Sequence, residues 1–270
     1  MTRDEPMVGV PAFLTEAIST GYGRHVVSQH LSLGVERGSR TALVGPNGSG
    51  KSTTLKTLAR LIAPLAGTVY LNGRDINRLP TREVARQMAI LPQTHEVPAE
   101  LTVLELVEQG RFPHVGTLGM LRRQDDEAIE EALRMTRLGD FVHRPIDTLS
   151  GGERQRAWMA LALAQRTEIL LLDEPTTFLD VGHQLDLLQL VSSLNRDRGV
   201  TIVMVLHDLN HAARFSDRMI AMSGGEVVAD GAPDEVLTPG LLRDCFGVEA
   251  SVVVDPRTGS PICMPYSPIL

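Results

Sequence analysis

Two spacings of apolar residues run through this chain. Short unbroken runs, Thr41-Ala-Leu-Val44, Glu168-Ile-Leu-Leu-Leu172 and Thr201-Ile-Val-Met-Val-Leu206, are strand-length and partly β-branched, which predicts strands buried on both faces. Between them apolar residues recur at helical intervals. Leu55, Leu58 and Ile62 share one face of the segment 52–62. Ile129, Ala132, Leu133 and Thr136 form a stripe along 125–138, where acids open the helix, arginines lie near its end and Gly139 stops it. An alanine-rich helix opens at Gly151-Gly152 and runs to about Gln165. Strands alternating with helices predict an α/β core around a largely parallel sheet. Two regions break this rhythm. Ala12 to Val35 reads as paired strands with a turn at Gly21-Tyr22-Gly23, and Thr68-Val-Tyr-Leu71 followed by Asn72-Gly73 is a hairpin signal, so an antiparallel β layer is expected beside the core. Pro98 to Arg144 is helical in pattern and predicts a helical insert. Near the tail, Thr238-Pro239 opens a short helix and Ser251-Val-Val-Val254 reads as a strand.

Composition narrows the function classes. With 43% hydrophobic and 22% charged residues the chain is an ordinary globular protein, and its net charge of −7 gives no basic footprint for nucleic acid. No apolar run approaches the ~20 residues of a membrane-spanning helix, so any membrane role is expected to come through a partner. The start, Met1-Thr-Arg-Asp-Glu-Pro6, lacks the apolar core of a signal peptide. Cys245 and Cys263 have neither metal nor redox spacing, which predicts a reduced cytosolic setting.

The chemistry begins at Gly45-Pro-Asn-Gly-Ser-Gly-Lys51-Ser52, which fits G-x-x-x-x-G-K-[ST] between a strand and a helix. Glycines let backbone N–H groups curl around an anion, and the helix start adds its positive dipole end. Gly45, Asn47, Gly48, Ser49, Gly50 and Thr53 are expected around the phosphates, Lys51 at the β- and γ-phosphates, and the Ser52 hydroxyl on Mg²⁺. Asp173-Glu174 ends an apolar strand, where this fold class holds its metal; Asp173 is assigned to Mg²⁺ and Glu174 to the proton of an attacking water. His207 ends the next apolar strand and can bond the γ-phosphate while ordering the water and Glu174. Leu149-Ser150-Gly151-Gly152-Glu153 opens a second helix whose free N–H groups, Ser150 hydroxyl and dipole suit an anion. One nucleotide needs one such helix start. Two of them predict a head-to-tail pair, each copy closing over the nucleotide of the other.

With these motifs in place, the chain resembles the ATP-binding subunit of an ABC transporter from about Ala12 to Asp255. The resemblance adds a glutamine loop at Gln93, implied to touch Mg²⁺ or the water and to relay nucleotide state to a membrane subunit. It adds an aromatic at Tyr22 for stacking on adenine, and Asp180 in Phe178-Leu179-Asp180 as a link between the two sites of a dimer. The implied fold is α/β: a P-loop NTPase (RecA-like) core with an antiparallel β subdomain and a helical subdomain insert. It forms a single domain over 1–270, with core and β layer in 1–93 and 160–270 and a helical signature subdomain in 94–159. Thr176-Thr-Phe-Leu-Asp180-Val-Gly-His183-Gln184, Gly110-Arg-Phe-Pro-His114 and the tail Asp255-Pro-Arg-Thr-Gly-Ser-Pro261 resemble the branch that imports ferric siderophores. Cobalamin and haem importers are near relatives of that branch. The implied cofactors are ATP and Mg²⁺. The implied partners are a second copy, a transmembrane permease and, through it, a substrate-binding protein, at the cytoplasmic face of the membrane. An ABC ATPase acting on DNA or ribosomes is the rival; such chains usually carry two cassettes or a long coiled coil, and neither is present.

Overall fold

The computed structural model describes residues 9–93, 101–115, 122–177 and 179–269. Its central sheet has six strands in the order Glu226–Gly231, Arg218–Ser223, Arg40–Val44, Thr201–Val205, Ile169–Asp173 and Met88–Leu91. All neighbours are parallel except the antiparallel edge strand Glu226–Gly231. The unbroken apolar runs are its middle strands, buried along their whole length. Alternate residues serve opposite faces. Ala42, Val44, Leu170, Leu172, Ile202 and Met204 pack with the helices Gly151–Ala164, Val181–Arg198 and Leu209–Phe215. Leu43, Ile169, Leu171, Val203 and Val205 face Leu55 and Leu58 of helix Lys51–Leu58 and the second sheet.

That second sheet is antiparallel, in the order His25–Leu31, Phe13–Tyr22, Ala66–Leu71, Arg74–Asp75, with Gly34–Val35 also paired to Phe13–Tyr22. Asn72 and Gly73 both have positive φ, 51° and 78°, as the tight hairpin signal requires. The helical insert has a core of its own, in which Val103 and Leu106 meet Ile129 and Leu133 of helix Arg123–Met135 and Ala157 and Ala160 of helix Gly151–Ala164. Residues 94–100 and 116–121, within the stretch expected to be helical, lie outside the described residues.

Several expectations shift. The helix after the glycine loop stops at Leu58, because Arg60 turns left-handed at φ 58° and the Leu61 N–H folds back onto the Lys56 carbonyl, so Ile62 leaves the helical face. The turn of the first hairpin is at Gly23-Arg24; Gly21 and Tyr22 still pair with Val26 and His25. The tail strand Val248–Val254 has a partner, Pro261–Pro268, that its prolines hid.

Candidate active site

Strand register decides where the chemistry lies. Leu91 stands opposite Leu172, Asp173 opposite Val205, and Val205 opposite Leu43. The segments leaving these strands emerge side by side: the glycine loop after Val44, Glu174 after Asp173, His207 after Val205, and Gln93 after Leu91. This is the crevice at the carboxyl ends of the strands, where open α/β sheets hold ligands.

The glycine loop runs into helix Lys51–Leu58, capped by Gly50 at φ 98°. A side chain at Gly45 would strike the Met222 carbonyl, and one at Gly50 would stand 2.5 Å from Ser28 Oγ, so the loop lies against the sheet behind it and against the β layer. Asn47 and Gly48 form the exposed rim; Gly45, Ser49, Gly50, Lys51 and Thr53 are buried and Ser52 is half-buried. Lys51 Nζ donates to the Gly45 and Pro46 carbonyls, both at 2.8 Å, and lies 3.4 Å from Ser49 Oγ. Burial draws this ammonium below its ordinary range, against the pull of Glu174, Cys245 and Asp173. Its hydrogen bonds go only to neutral groups, so it gains by meeting an anion directly.

Asp173 is fully buried, and neither carboxylate oxygen completes a hydrogen bond. Lys56 Nζ stands 3.7 Å away. Burial pushes the carboxyl above its usual range, while the Ser52 hydroxyl and Lys56 pull it back. An unsatisfied buried acceptor costs about 1–3 kcal/mol, and more when charged. The Ser52 hydroxyl, the Asp173 carboxylate and the Gln93 amide are hard oxygen donors of the kind Mg²⁺ takes, so the residues fit that ion.

Glu174 leaves the strand at φ 52°, left-handed for a residue other than glycine, the sort of local strain found at functional sites. Its Oε1 is 2.7 Å from His207 Nε2. Its Oε2 accepts from Gln93 Nε2 at 2.6 Å and from the Thr177 hydroxyl at 3.3 Å. The carboxylate is thus gripped from both sides, next to the buried Asp173.

Ser150, Gly151 and Gly152 belong to a different edge. No hydrogen bond among the described residues ties them to the glycine loop. The Ser150 hydroxyl, expected to face an anion, donates to Glu153 Oε2 at 2.7 Å and accepts from the Glu153 N–H at 3.3 Å; the Ser150 N–H donates to the same carboxylate at 2.8 Å. This is a capping box, and it holds Glu153 below the usual carboxylate range through the Ser150 hydroxyl and amide. Asp180 caps helix Val181–Arg198 by accepting the His183 N–H at 2.9 Å. Tyr22 is 51% exposed at the hairpin tip, so it is not packed into the β layer; the returning strand touches Gly50 through Val27 and Ser28. Phe178 lies outside the described residues.

Two contributors escaped the sequence reading. Lys56 reaches Asp173 because it follows Ser52 by one helical turn, and Thr177 reaches Glu174 around a three-residue turn. Both spacings were available as signals.

Glycine loop, helix dipole, orphaned carboxylate and clamped glutamate together define a P-loop nucleoside triphosphatase. A family model described as ABC transporter matches residues 28–177. The chain is 52% identical to the iron(3+)-hydroxamate import ATP-binding protein FhuC of Bacillus subtilis (strain 168), over 93% of this chain and 94% of that one. It is 45% identical to the ferric enterobactin transport ATP-binding protein FepC of Escherichia coli (strain K12), over 93% and 92%. A dimeric post-hydrolysis structure of the ATP-binding cassette MJ0796, bound to ADP and Pi, superposes with a TM-score of 0.73 at 30% identity, covering 82% of this chain and 98% of that one. The chain belongs to the ABC transporter family, and it is an ATP-binding subunit with ATPase activity.

Proposed function

We propose that this subunit powers uptake of an iron chelate, a ferric siderophore, through a separate permease. It works as a pair of copies that clasp two ATP molecules. The observation that carries the hydrolytic part is Glu174, held between Gln93 and His207 beside an Asp173 carboxylate without hydrogen bonds. The substrate class follows from the relatives, whose names place them in ferric hydroxamate and enterobactin import, and from the local motifs at 110–114 and 176–184.

The geometry around Lys51, Asp173 and Glu174 supports the following roles. Lys51 exchanges the Gly45 and Pro46 carbonyls for phosphate oxygens, and the N–H groups of 45–53 line the same anion. Ser52, Asp173 and Gln93 hold Mg²⁺, which when bound neutralises charge building on the transferred phosphoryl group. Glu174 accepts the proton of the attacking water. His207 steadies that carboxylate from its Oε1 side and reaches the γ-phosphate. Tyr22 stacks on adenine from the hairpin tip. Ser150, Gly151 and Gly152 of one copy complete the site of the other, and Asp180 links the two. Ser150 must release Glu153 to do so, a local rearrangement that nucleotide binding would drive. The 94–159 helical subdomain, inserted between the 1–93 and 160–270 parts of the core, and Gln93 would face the permease at the cytoplasmic side of the membrane; a substrate-binding protein acts through that permease, and nucleic acid is no partner. No helix among the described residues is long and apolar enough to cross a bilayer, in keeping with attachment through the permease.

The test is Glu174→Gln. Turnover falls on the order of 10²–10⁴-fold while ATP binding persists and the protein migrates as a dimer with ATP on size exclusion. Normal turnover in that variant would falsify the assignment of the base. The cargo is tested in a deletion strain, where uptake of radiolabelled ferric siderophore stops and cobalamin uptake continues.

A further inference from the structure

His183 follows Asp180 by three residues and sits against a segment remote in sequence. Its backbone N–H donates to Asp180 Oδ1 at 2.9 Å, and its ring Nδ1 lies 2.8 Å from Asp180 Oδ2. An ionised carboxylate only accepts hydrogen bonds, so Nδ1 carries the proton and donates it. The backbone bond ties the residue, and the Nδ1 bond ties its ring, to the same carboxylate. The ring then closes over the start of helix Gly151–Ala164: a Cβ built on Gly152 would lie 3.2 Å from Nδ1 and 3.4 Å from Cγ. A side chain at 152 would therefore crowd the imidazole, which would have to give way by a few tenths of an ångström. One carboxylate braces two helix starts, its own directly and that of the Ser150 segment through the ring. Nearby, Gln155 of the same helix donates to the Pro175 carbonyl at 3.0 Å, just after Glu174, and Gln184 donates to the Leu179 carbonyl at 2.9 Å.

We infer that His183 is a positioning residue for ATP turnover: it locks Asp180 and the Gly151-Gly152 helix start into one rigid edge that meets the partner copy as a unit. This rests on the shared-site reading above. Without the ring the Gln155–Pro175 hydrogen bond and the shared core still join the two helices, but their starts lose the contact that aligns them, and ordering those starts falls on the closing step. The half-exposed ring touches neither the glycine loop nor Glu174, so its removal spares nucleotide binding within one copy.

The experiment uses the full chain in two backgrounds. In the otherwise native protein, His183→Ala is expected to lower the maximal ATPase rate at fixed protein concentration on the order of tenfold, with the KM for ATP unchanged. His183→Asn, which can still donate to Asp180, recovers most of that loss. In the Glu174→Gln background, His183→Ala raises the ATP-dependent monomer–dimer dissociation constant, measured by sedimentation, by a similar factor, while binding of a fluorescent ATP analogue to the monomer stays as it was. Gly152→Ala is harmful beside the native ring and less so when combined with His183→Ala, because the crowded contact is gone. If the Glu174→Gln protein dimerises with ATP and His183→Ala neither weakens the dimer nor slows turnover, the role of His183 is overturned and the shared site stands. If the Glu174→Gln parent does not dimerise with ATP at all, the shared site falls and the inference falls with it.

Discussion

The edge built around Lys51 and Asp173 and the edge built around Ser150 and Asp180 are both helix starts suited to anions, yet they treat their polar groups in opposite ways. At the first, the charges are buried and poorly matched by the protein: Lys51 is 4% exposed on two carbonyls, Asp173 has no hydrogen bond, and Glu174 sits on a left-handed backbone. At the second, every named acid is satisfied locally, Glu153 by Ser150 and Asp180 by His183, and the segment lies largely in solvent. The first edge is destabilised until a ligand with phosphates and a cation completes it. The second is at rest without one. Buried groups left unsatisfied by the fold mark what the ligand must supply. Self-capped exposed groups mark a surface that can wait for a partner.

Variants that should break this contrast fall in order of size. Lys51→Ala removes charge-assisted contacts to phosphate, each worth about 1.5–3 kcal/mol, so ATP affinity by calorimetry should drop on the order of 100-fold. A change below threefold would mean that the ammonium never leaves the loop carbonyls. Asp173→Asn should act in two directions at once. Metal-dependent turnover should fall at least about 100-fold, yet the nucleotide-free protein should melt a few degrees higher, since about 1–3 kcal/mol of unsatisfied buried charge is relieved. A lower melting point would show that Lys56 already compensates the carboxylate. Ser150→Ala should leave ATP binding to the single copy intact and weaken only ATP-driven dimerisation, with a loss of about 1 kcal/mol of stability from the missing cap. If ATP affinity of the monomer fell instead, the two edges would not be separable.

The smallest effect lies away from both edges, in the clasp between the helical insert and the far ends of the helices that begin at the second edge. Glu131, on the insert helix Arg123–Met135, accepts from Arg166 at 2.8 Å and from Arg198 at 2.5 Å. Burial pushes its carboxyl up, but the Arg166 and Arg198 hydrogen bonds outweigh it and hold the group below its ordinary 4.5. A depressed carboxyl adds stability that is complete above its unfolded value and drains away as pH falls through the folded one. Glu131→Gln should therefore cost about 1 kcal/mol at neutral pH, with both arginines half in solvent, and the gap to the native protein should close below pH 4.5. Urea unfolding at several pH values measures this, and a pH-independent gap would rule out the ion pair as its source.

Much of this was legible in the chain. The buried strands were, because unbroken apolar runs admit few other readings, and the glycine loop was, because its spacing is local. The hairpin at Asn72-Gly73 was legible for the same reason. The strand Pro261–Pro268 was not, because its prolines argue against a ladder unless both strands are edges, as they are in a two-stranded sheet. The left-handed exits at Arg60 and Glu174 left no trace, since neither residue is one that favours that conformation. The capping box that engages the Ser150 hydroxyl is legible too, since Glu153 stands three positions on.

The linear order of residues determined which local units form and which groups carry charge, because helix periodicity, strand runs and turn chemistry act over a few positions. It could not determine which of those groups would be left without partners. That came from parallel register, which sets Asp173 level with Val205 and Leu43 and shuts its carboxylate away from water. It came as well from the packing of helix Val181–Arg198, which lays the His183 ring on Gly152. Hydrogen-bond satisfaction is a property of the assembled interior, where desolvation and close approach are decided together, and only the folded chain possesses one.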